Sequence, residues 1–116
     1  MGKYDEVYDR SLADPEGFRS EAAEAIHWEK KWDRLIDDSN PPFYRWFVGG
    51  ETNTCYNCVD RHVESGRGDQ LALIYDSPIT GAKQAFTYSE LKEEVSKFGG
   101  VLRQYGIEKG DRVIIY

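Results

Sequence analysis

The run Arg112-Val113-Ile114-Ile115-Tyr116 constrains the fold of this chain more than any other segment. The preceding Lys109-Gly110-Asp111 has the composition of a turn. A strand with so little polar alternation is typical of parallel or mixed sheets, in which other elements cover both faces. We therefore expect residues 112–116 to form a buried strand, and these 116 residues to be the opening piece of a larger α/β protein.

Charge and hydropathy exclude several classes of partner. The formal net charge of −6 argues against nucleic acid, which requires clustered Lys and Arg. No basic stripe is suited to anionic lipid, and no run of about 18 apolar residues could span a membrane. The N-terminus lacks the apolar region of a secretory signal. We expect a cytoplasmic protein, or a mitochondrial matrix protein if a presequence has been removed, with no nucleic-acid or membrane partner.

Residues 1–65 are predicted to form a helical, aromatic-rich cap. Asp14-Pro15-Glu16 has the composition of a helix start, with Asp as the cap and Pro at the first helical position. Asn40-Pro41-Pro42 is expected to end the helical part, because each proline disfavours helical dihedral angles at the residue before it. The aromatic density predicts a strap that lies against a larger body. Its apolar residues are Trp28, Trp32, Leu35, Ile36, Phe43, Tyr44, Trp46, Phe47 and Val48.

Residues 66–116 are predicted to follow a β-β-α-β order. Strands are expected at 71–75 and 84–86. Thr87 and Glu90 form a capping box that starts a helix, and Gly106 is placed to end it in a Schellman-type cap. The predicted buried stripe of this helix consists of Leu91, Val95, Phe98 and Leu102. The fold class is therefore α+β, as a fragment of a larger α/β fold, with domains 1–65 and 66–116.

The two cysteines form a single Cys55-x-x-Cys58 motif. Together with His62 they supply three of the four ligands of a structural zinc site, and no fourth is evident. A redox pair would be expected directly after a strand, whereas this segment has a helical pattern with Cys55, Cys58, Val59 and His62 on one face. We favour buried structural cysteines, because free cysteine usually behaves as a small hydrophobe. Metal binding and redox chemistry remain the alternatives.

Catalytic chemistry is sparse in this sequence. Neither GxGxxG nor GxxxxGK[ST] occurs, so the common glycine-rich phosphate loops are absent. His27 and His62 are the two residues expected to titrate near neutral pH. A general-base role for His62 would require an orienting carboxylate and a nucleophile, and the sequence identifies neither. We interpret both histidines as packing or hydrogen-bonding residues.

Five ordered motifs resemble the opening of AMP-forming short-chain acyl-CoA synthetases. The first three are Trp46-Phe47-Val48-Gly49-Gly50, Asn53-Thr54-Cys55-Tyr56-Asn57 and Asp60-Arg61-His62. The last two are Phe86-Thr87-Tyr88-x-Glu90-Leu91 and the segment from Lys109 to Tyr116. Trp46-Phe47, Cys55-Tyr56-Asn57 and residues 73–78 are more similar to propionyl-CoA synthetases than to acetyl-CoA synthetases.

The resemblance implies an adenylate-forming ligase as the parent protein, with ATP, Mg and CoA as its cofactors. In such a ligase a short-chain carboxylate, propionate or acetate, attacks the α-phosphate of ATP, and the CoA thiol then displaces AMP. The phosphate loop, nucleotide contacts, acyl pocket and catalytic lysine of the family all follow the region matched here. We therefore assign no catalytic, cofactor-binding or metal-binding residue to this chain, and expect it to be inactive without cofactors of its own.

The remainder of the ligase chain is the expected partner of this segment. Self-association through the exposed terminal strand is a second expectation, because an uncovered strand edge pairs readily with another copy. A stand-alone interaction module derived from such a ligase is the alternative function. A small metal or redox protein built on Cys55 and Cys58 is a third hypothesis.

Overall fold

The computed structural model describes residues 2–116. The chain divides into two compact units, Met1–Asn57 and Cys58–Tyr116. Both helices and short antiparallel sheets are present, which confirms the α+β class of this segment. Within residues 2–116, no helix is long and apolar enough to cross a membrane.

The first unit begins with two short helices, α1 (Lys3–Ala13) and α2 (Pro15–Ala23). The predicted start of α2 is confirmed: the Asp14 carboxylate accepts a hydrogen bond of 2.9 Å from the Gly17 N–H, and Pro15 is the first helical residue. Arg10 of α1 forms an ion pair with Glu21 of α2. The helix ends at Ala23, so Ala25 and Ile26 lie beyond it.

An antiparallel pair of strands replaces the predicted continuation of helix before Asn40. Strand β1 (Arg34–Asp37) pairs with β2 (Arg45–Val48), with Ile36 opposite Trp46. Leu35 and Asp37, two residues apart, are the buried positions of β1, which is the period of a strand. The helical prediction was wrong here, because the sequence of a four-residue segment does not distinguish helix from strand. Pairing with β2 supplies the backbone hydrogen bonds that make this segment a strand.

Three aromatic rings form the centre of the first unit. The ring centroids of Trp28, Trp32 and Phe47 lie 4.9–5.2 Å from one another. The Trp28 indole N–H donates to the Ala23 carbonyl at 3.0 Å, which ties this cluster to the end of α2. The predicted aromatic strap therefore packs partly on itself. Other members remain exposed, with Phe43 at 74% and Tyr44 at 52%.

The second unit begins with the last part of a helical segment, residues 54–67, that includes the π-helical turns Tyr56–Asp60 and Val63–Arg67. The segment is kinked at Gly66, where φ is 84°. Strands β3 (Leu71–Asp76) and β4 (Lys83–Thr87) follow as the predicted hairpin. Helix α3 (Tyr88–Gln104) then packs against both strands.

Both ends of α3 match the predicted capping motifs. Thr87 Oγ1 accepts from the Glu90 N–H at 3.2 Å, and the Glu90 carboxylate accepts from the Thr87 N–H at 2.8 Å. Gly106 has a φ of 74°, and the Ile107 N–H donates to the Leu102 carbonyl at 3.1 Å. The predicted buried stripe was wrong, because Val95 and Phe98 are exposed and Leu91 and Leu102 are only half-buried.

The predicted terminal strand is the main correction to the fold. Residues 112–116 form no strand within the described part of the chain, and Ile114 and Ile115 are 84% and 94% exposed. The segment retains the composition of a strand, but a strand is stable only when neighbouring backbone accepts and donates its hydrogen bonds. The observed order in the last third is therefore β-β-α followed by a segment without regular secondary structure.

Candidate functional site

The helical segment 54–67 carries most of the residues that the sequence singled out, and each unit holds one end of it. At its start, Asn53 Oδ1 accepts from the Tyr56 N–H at 3.0 Å, which caps the helix. Each end is positioned by contacts within its own unit.

Asn57 anchors the start of the segment in the first unit. Its side chain is 8% exposed. Oδ1 accepts from the His27 N–H at 2.8 Å, and Nδ2 donates to the His27 carbonyl at 2.9 Å. The side-chain amide thus pairs with both backbone groups of His27, as a neighbouring β-strand would. Nδ2 also lies 3.0 Å from the Asn53 carbonyl and 3.1 Å from Thr52 Oγ1. With every polar atom used, Asn57 is a structural residue.

His27 contributes its backbone and its ring to the same place. The His27 ring packs on Tyr56 with centroids 4.6 Å apart, and the His27 carbonyl also accepts from Thr52 Oγ1 at 2.8 Å. This agrees with the interpretation of His27 as a packing and hydrogen-bonding residue. The sequence did not identify Asn57 as its partner, since the two residues are 30 positions apart.

The cysteines are not buried, so the predicted packing role is wrong. Cys55 and Cys58 are both exposed, and neither takes part in a disulfide. Asn57 and Val59 are buried instead. The turn Tyr56–Asp60 is π-helical, and its wider i→i+5 spacing changes which side chains face inward compared with the α-helical pattern used for the prediction. Among residues 2–116, no three His, Cys, Asp or Glu side chains come together as a metal site would require.

His62 lies in the second unit between an arginine and an aromatic ring. Its ring centroid is 4.7 Å from that of Tyr88, the first residue of α3. Arg67 Nη1 lies 3.3 Å from His62 Nδ1. Because a guanidinium can only donate, Nδ1 must accept and the ring proton of neutral His62 must lie on Nε2. Burial, followed by the charges of Arg67 and Arg61, lowers the pKa of His62 below its ordinary value of 6.5.

These contacts bear on the general-base hypothesis for His62. A catalytic imidazole is normally oriented by a carboxylate that stabilises its charged form. The contacts described for His62 come from a cation and a phenol ring, and both neighbouring arginines disfavour imidazolium. The arrangement therefore agrees with the sequence interpretation of His62 as a packing residue. Arg67 and Tyr88 were missed, since no sequence signal links them to His62.

Backbone contacts and one ion pair hold α3 to the end of the helical segment. The N–H groups of Tyr88 and Ser89 donate to the carbonyls of Gln70 and Gly68, both at 3.0 Å. Lys92 Nζ lies 3.1 Å from Asp60 Oδ1, and both side chains are partly buried. The motifs Asp60-Arg61-His62 and Thr87-Tyr88 thus meet in one cluster.

Comparison with known proteins gives matches along nearly the whole chain. Residues 4–58 match the family described as acetyl-coenzyme A synthetase N-terminus, and residues 59–116 match the family described as AMP-binding enzyme. The human acyl-CoA synthetase short-chain family member 3, mitochondrial, is 51% identical over 114 residues, which is 98% of this chain. The acetyl-coenzyme A synthetase of Streptomyces coelicolor is 47% identical over 111 residues, or 96% of this chain.

The chain spans 17% of the length of each of these two relatives. The two family matches follow one another directly, in the order that the sequence motifs predicted. The family resemblance drawn from the motifs is therefore confirmed. The chain belongs to the AMP-binding enzyme family and corresponds to the N-terminal region of short-chain acyl-CoA and acetyl-CoA synthetases.

Proposed function

We propose that this chain is the N-terminal structural segment of an AMP-forming ligase that makes short-chain acyl-CoA. The observation that carries the proposal is the consecutive match of its two halves to the acetyl-CoA synthetase N-terminus and to the AMP-binding enzymes. In the first step a carboxylate oxygen attacks the α-phosphorus of ATP and pyrophosphate leaves. In the second step the CoA sulfur attacks the acyl carbon of the adenylate and AMP leaves.

Propionate or acetate is the proposed acyl substrate. The resemblance of Trp46-Phe47 and Cys55-Tyr56-Asn57 to propionyl-CoA synthetases supports propionate. The 47% identity to a bacterial acetyl-coenzyme A synthetase supports acetate as its competitor. ATP, CoA and Mg are cofactors of the proposed ligase. Among residues 2–116, no three His, Cys, Asp or Glu side chains come together, and we assign none of these residues to the cofactors.

The proposed role of the segment is to pack against the remainder of the ligase. Its hairpin and helix expose apolar side chains that a self-sufficient domain would bury: Ile74 is 70% exposed and Phe98 is 58% exposed. Exposed apolar area of this kind is stabilised when another part of the protein covers it. No described residue is assigned to catalysis, so we expect the 116-residue chain to be inactive.

An exchange assay tests the proposed activity. The polypeptide that carries this segment is captured from its source cells with an antibody, and ATP–pyrophosphate exchange is measured with propionate and with acetate. We expect carboxylate-dependent exchange from a polypeptide several times larger than 13.4 kDa. The purified 116-residue chain is the matched control and should give none. Exchange by the short chain would refute its inactivity, and no exchange by the larger polypeptide would refute the ligase.

The alternative function is a stand-alone interaction module. The exposed aromatic residues Phe43 and Tyr44 favour it, since aromatic side chains dominate many protein interfaces. A native product of 13.4 kDa in the capture experiment would support this alternative over the ligase segment.

Self-association of the isolated chain is also proposed. Residues 113–116 are exposed and apolar, and they lack strand pairing in the described chain. Such segments pair with the strand edges of a second copy. Light scattering of the purified chain should therefore detect dimers or larger species, and a monomer at high concentration would contradict this.

The proposed location is the cytoplasm or the mitochondrial matrix. The human relative is named as mitochondrial, whereas other relatives are bacterial acetyl-coenzyme A synthetases. Subcellular fractionation with the same antibody distinguishes the two compartments.

A further inference from the structure

Arg67 is a cation held in place entirely by neutral groups. Its Nε donates to Gln70 Oε1 at 2.9 Å, its Nη1 donates to His62 Nδ1, and its guanidinium carbon lies 5.4 Å from the centre of the Tyr88 ring. None of these three contacts neutralises its charge. By contrast, Lys83 and Lys92 in the same unit each lie within 3.1 Å of a carboxylate oxygen.

The neighbouring histidine adds a second donor. Because Nδ1 of His62 accepts from Arg67, neutral His62 carries its proton on Nε2, and no described contact uses that proton. Arg67 is exposed, and His62 is half-buried. The contacts with Gln70, His62 and Tyr88 hold the Arg67 guanidinium in one orientation. Its outer N–H groups then form a planar pair of donors that matches the oxygens of a carboxylate or a phosphate.

Burial is the largest influence on the pKa of His62, and the charges of Arg67 and Arg61 act in the same direction. Arg67 and Arg61 on the helical segment both act against protonation of the imidazole, and Tyr88 of α3 contributes a ring face without charge. An oxyanion beside Arg67 would offset this positive potential. It would also stabilise imidazolium and raise the pKa of His62.

We propose that Arg67 and His62, supported by Tyr88 and Gln70, form a binding site for a small oxyanion, with the guanidinium as the principal donor. The ligand class is a phosphate or a carboxylate. Phosphate is the better ligand because near neutral pH it carries up to two negative charges and more acceptor oxygens than a carboxylate. The site belongs to the second unit alone and uses neither of the two cysteines that the sequence considered for metal or redox chemistry.

Histidine NMR titration of the full 116-residue chain tests this site. The His62 ring signal is followed from pH 5 to 8 in sodium chloride and in inorganic phosphate at the same ionic strength. We expect phosphate to raise the pKa of His62 in a saturable manner. Acetate at the same concentration should give a smaller shift. Equal titration of His62 in chloride and in phosphate would overturn the proposal.

Substitutions assign the effect to Arg67. R67Q removes a charge-assisted hydrogen bond and should weaken phosphate binding at least about tenfold. R103Q removes an exposed arginine from the last turn of α3 and should leave phosphate binding unchanged. R67K keeps the charge but loses the planar fork, and an intermediate affinity is expected. Wild-type phosphate affinity in R67Q would overturn the proposal, and if R67Q does not fold, wild-type affinity in R67K would do so.

Discussion

Replacing Asn57 by alanine should destabilise the first unit by about 2 kcal/mol. The substitution removes the acceptor of the His27 N–H and the amide donor to the His27 carbonyl. Each neutral hydrogen bond contributes about 0.5–1.5 kcal/mol, and a buried group left without a partner costs about 1–3 kcal/mol. Thr52 Oγ1 still donates to the His27 carbonyl in the variant, so this carbonyl keeps a partner. The expected loss in the free energy of unfolding therefore lies at the lower end of the sum of these contributions.

Urea unfolding monitored by tryptophan fluorescence measures this loss. Trp28 and Trp32 lie in the same unit, so the signal reports on the structure that Asn57 supports. N57D is an informative second variant, since a carboxylate accepts from the His27 N–H but cannot donate to the His27 carbonyl.

The matched control is N40A, because Asn40 is exposed and should change stability by less than about 0.5 kcal/mol. We expect N40A to be more stable than both N57D and N57A. If the stability of N57A equals that of N40A, the argument that the Asn57 amide holds this unit together is refuted.

Three further substitutions follow from the same reasoning. Hydrogen bonds from Ser39 lower the pKa of Asp37. The Asp37 carboxylate therefore stabilises the fold at pH values above its unfolded-state pKa, and this stabilisation is lost as pH falls through its folded-state pKa. D37N should flatten the acid limb of a stability–pH profile, and an unchanged limb would contradict this. The pKa of His62 is also lowered in the folded state. The stability of the second unit should therefore decrease as pH falls below about 6.5, because the unfolded chain binds the proton more readily. Circular dichroism melts of H62Q should no longer show this decrease. T87A should cost about 1 kcal/mol by removing the cap of α3, whereas S96A within the helix serves as the control and should cost less.

Local chemistry made the second unit the more predictable one. A capping box and a glycine C-cap involve residues only a few positions apart, so Thr87, Glu90 and Gly106 were sufficient to place both ends of α3. The hairpin β3–β4 was found for the same reason, because its two strands are neighbours in sequence. The Asp14-Pro15 start of α2 is a third case of this kind.

The errors fall where distant contacts decide the outcome. Strand β1 depends on β2, which starts eight residues after β1 ends, and four residues of β1 carry too little periodicity to identify a strand. The exposure of Cys55 and Cys58 follows from a π-helical turn, which periodicity based on α-helix geometry does not anticipate. The His62–Arg67–Tyr88 cluster had no sequence signal, because its members come from two elements that the fold brings together.

The sequence by itself determined the family, the α+β composition, the start of α2 and both ends of α3, because ordered motifs and capping residues act over short distances along the chain. Tertiary structure alone decided that Asn57 binds the His27 backbone and that Arg67 sits on Tyr88 beside His62. It also decided that residues 112–116, whose composition is that of a strand, remain unpaired. The physical reason is common to all three: a hydrogen-bonding group or an apolar side chain has a definite role only when its partner is in place.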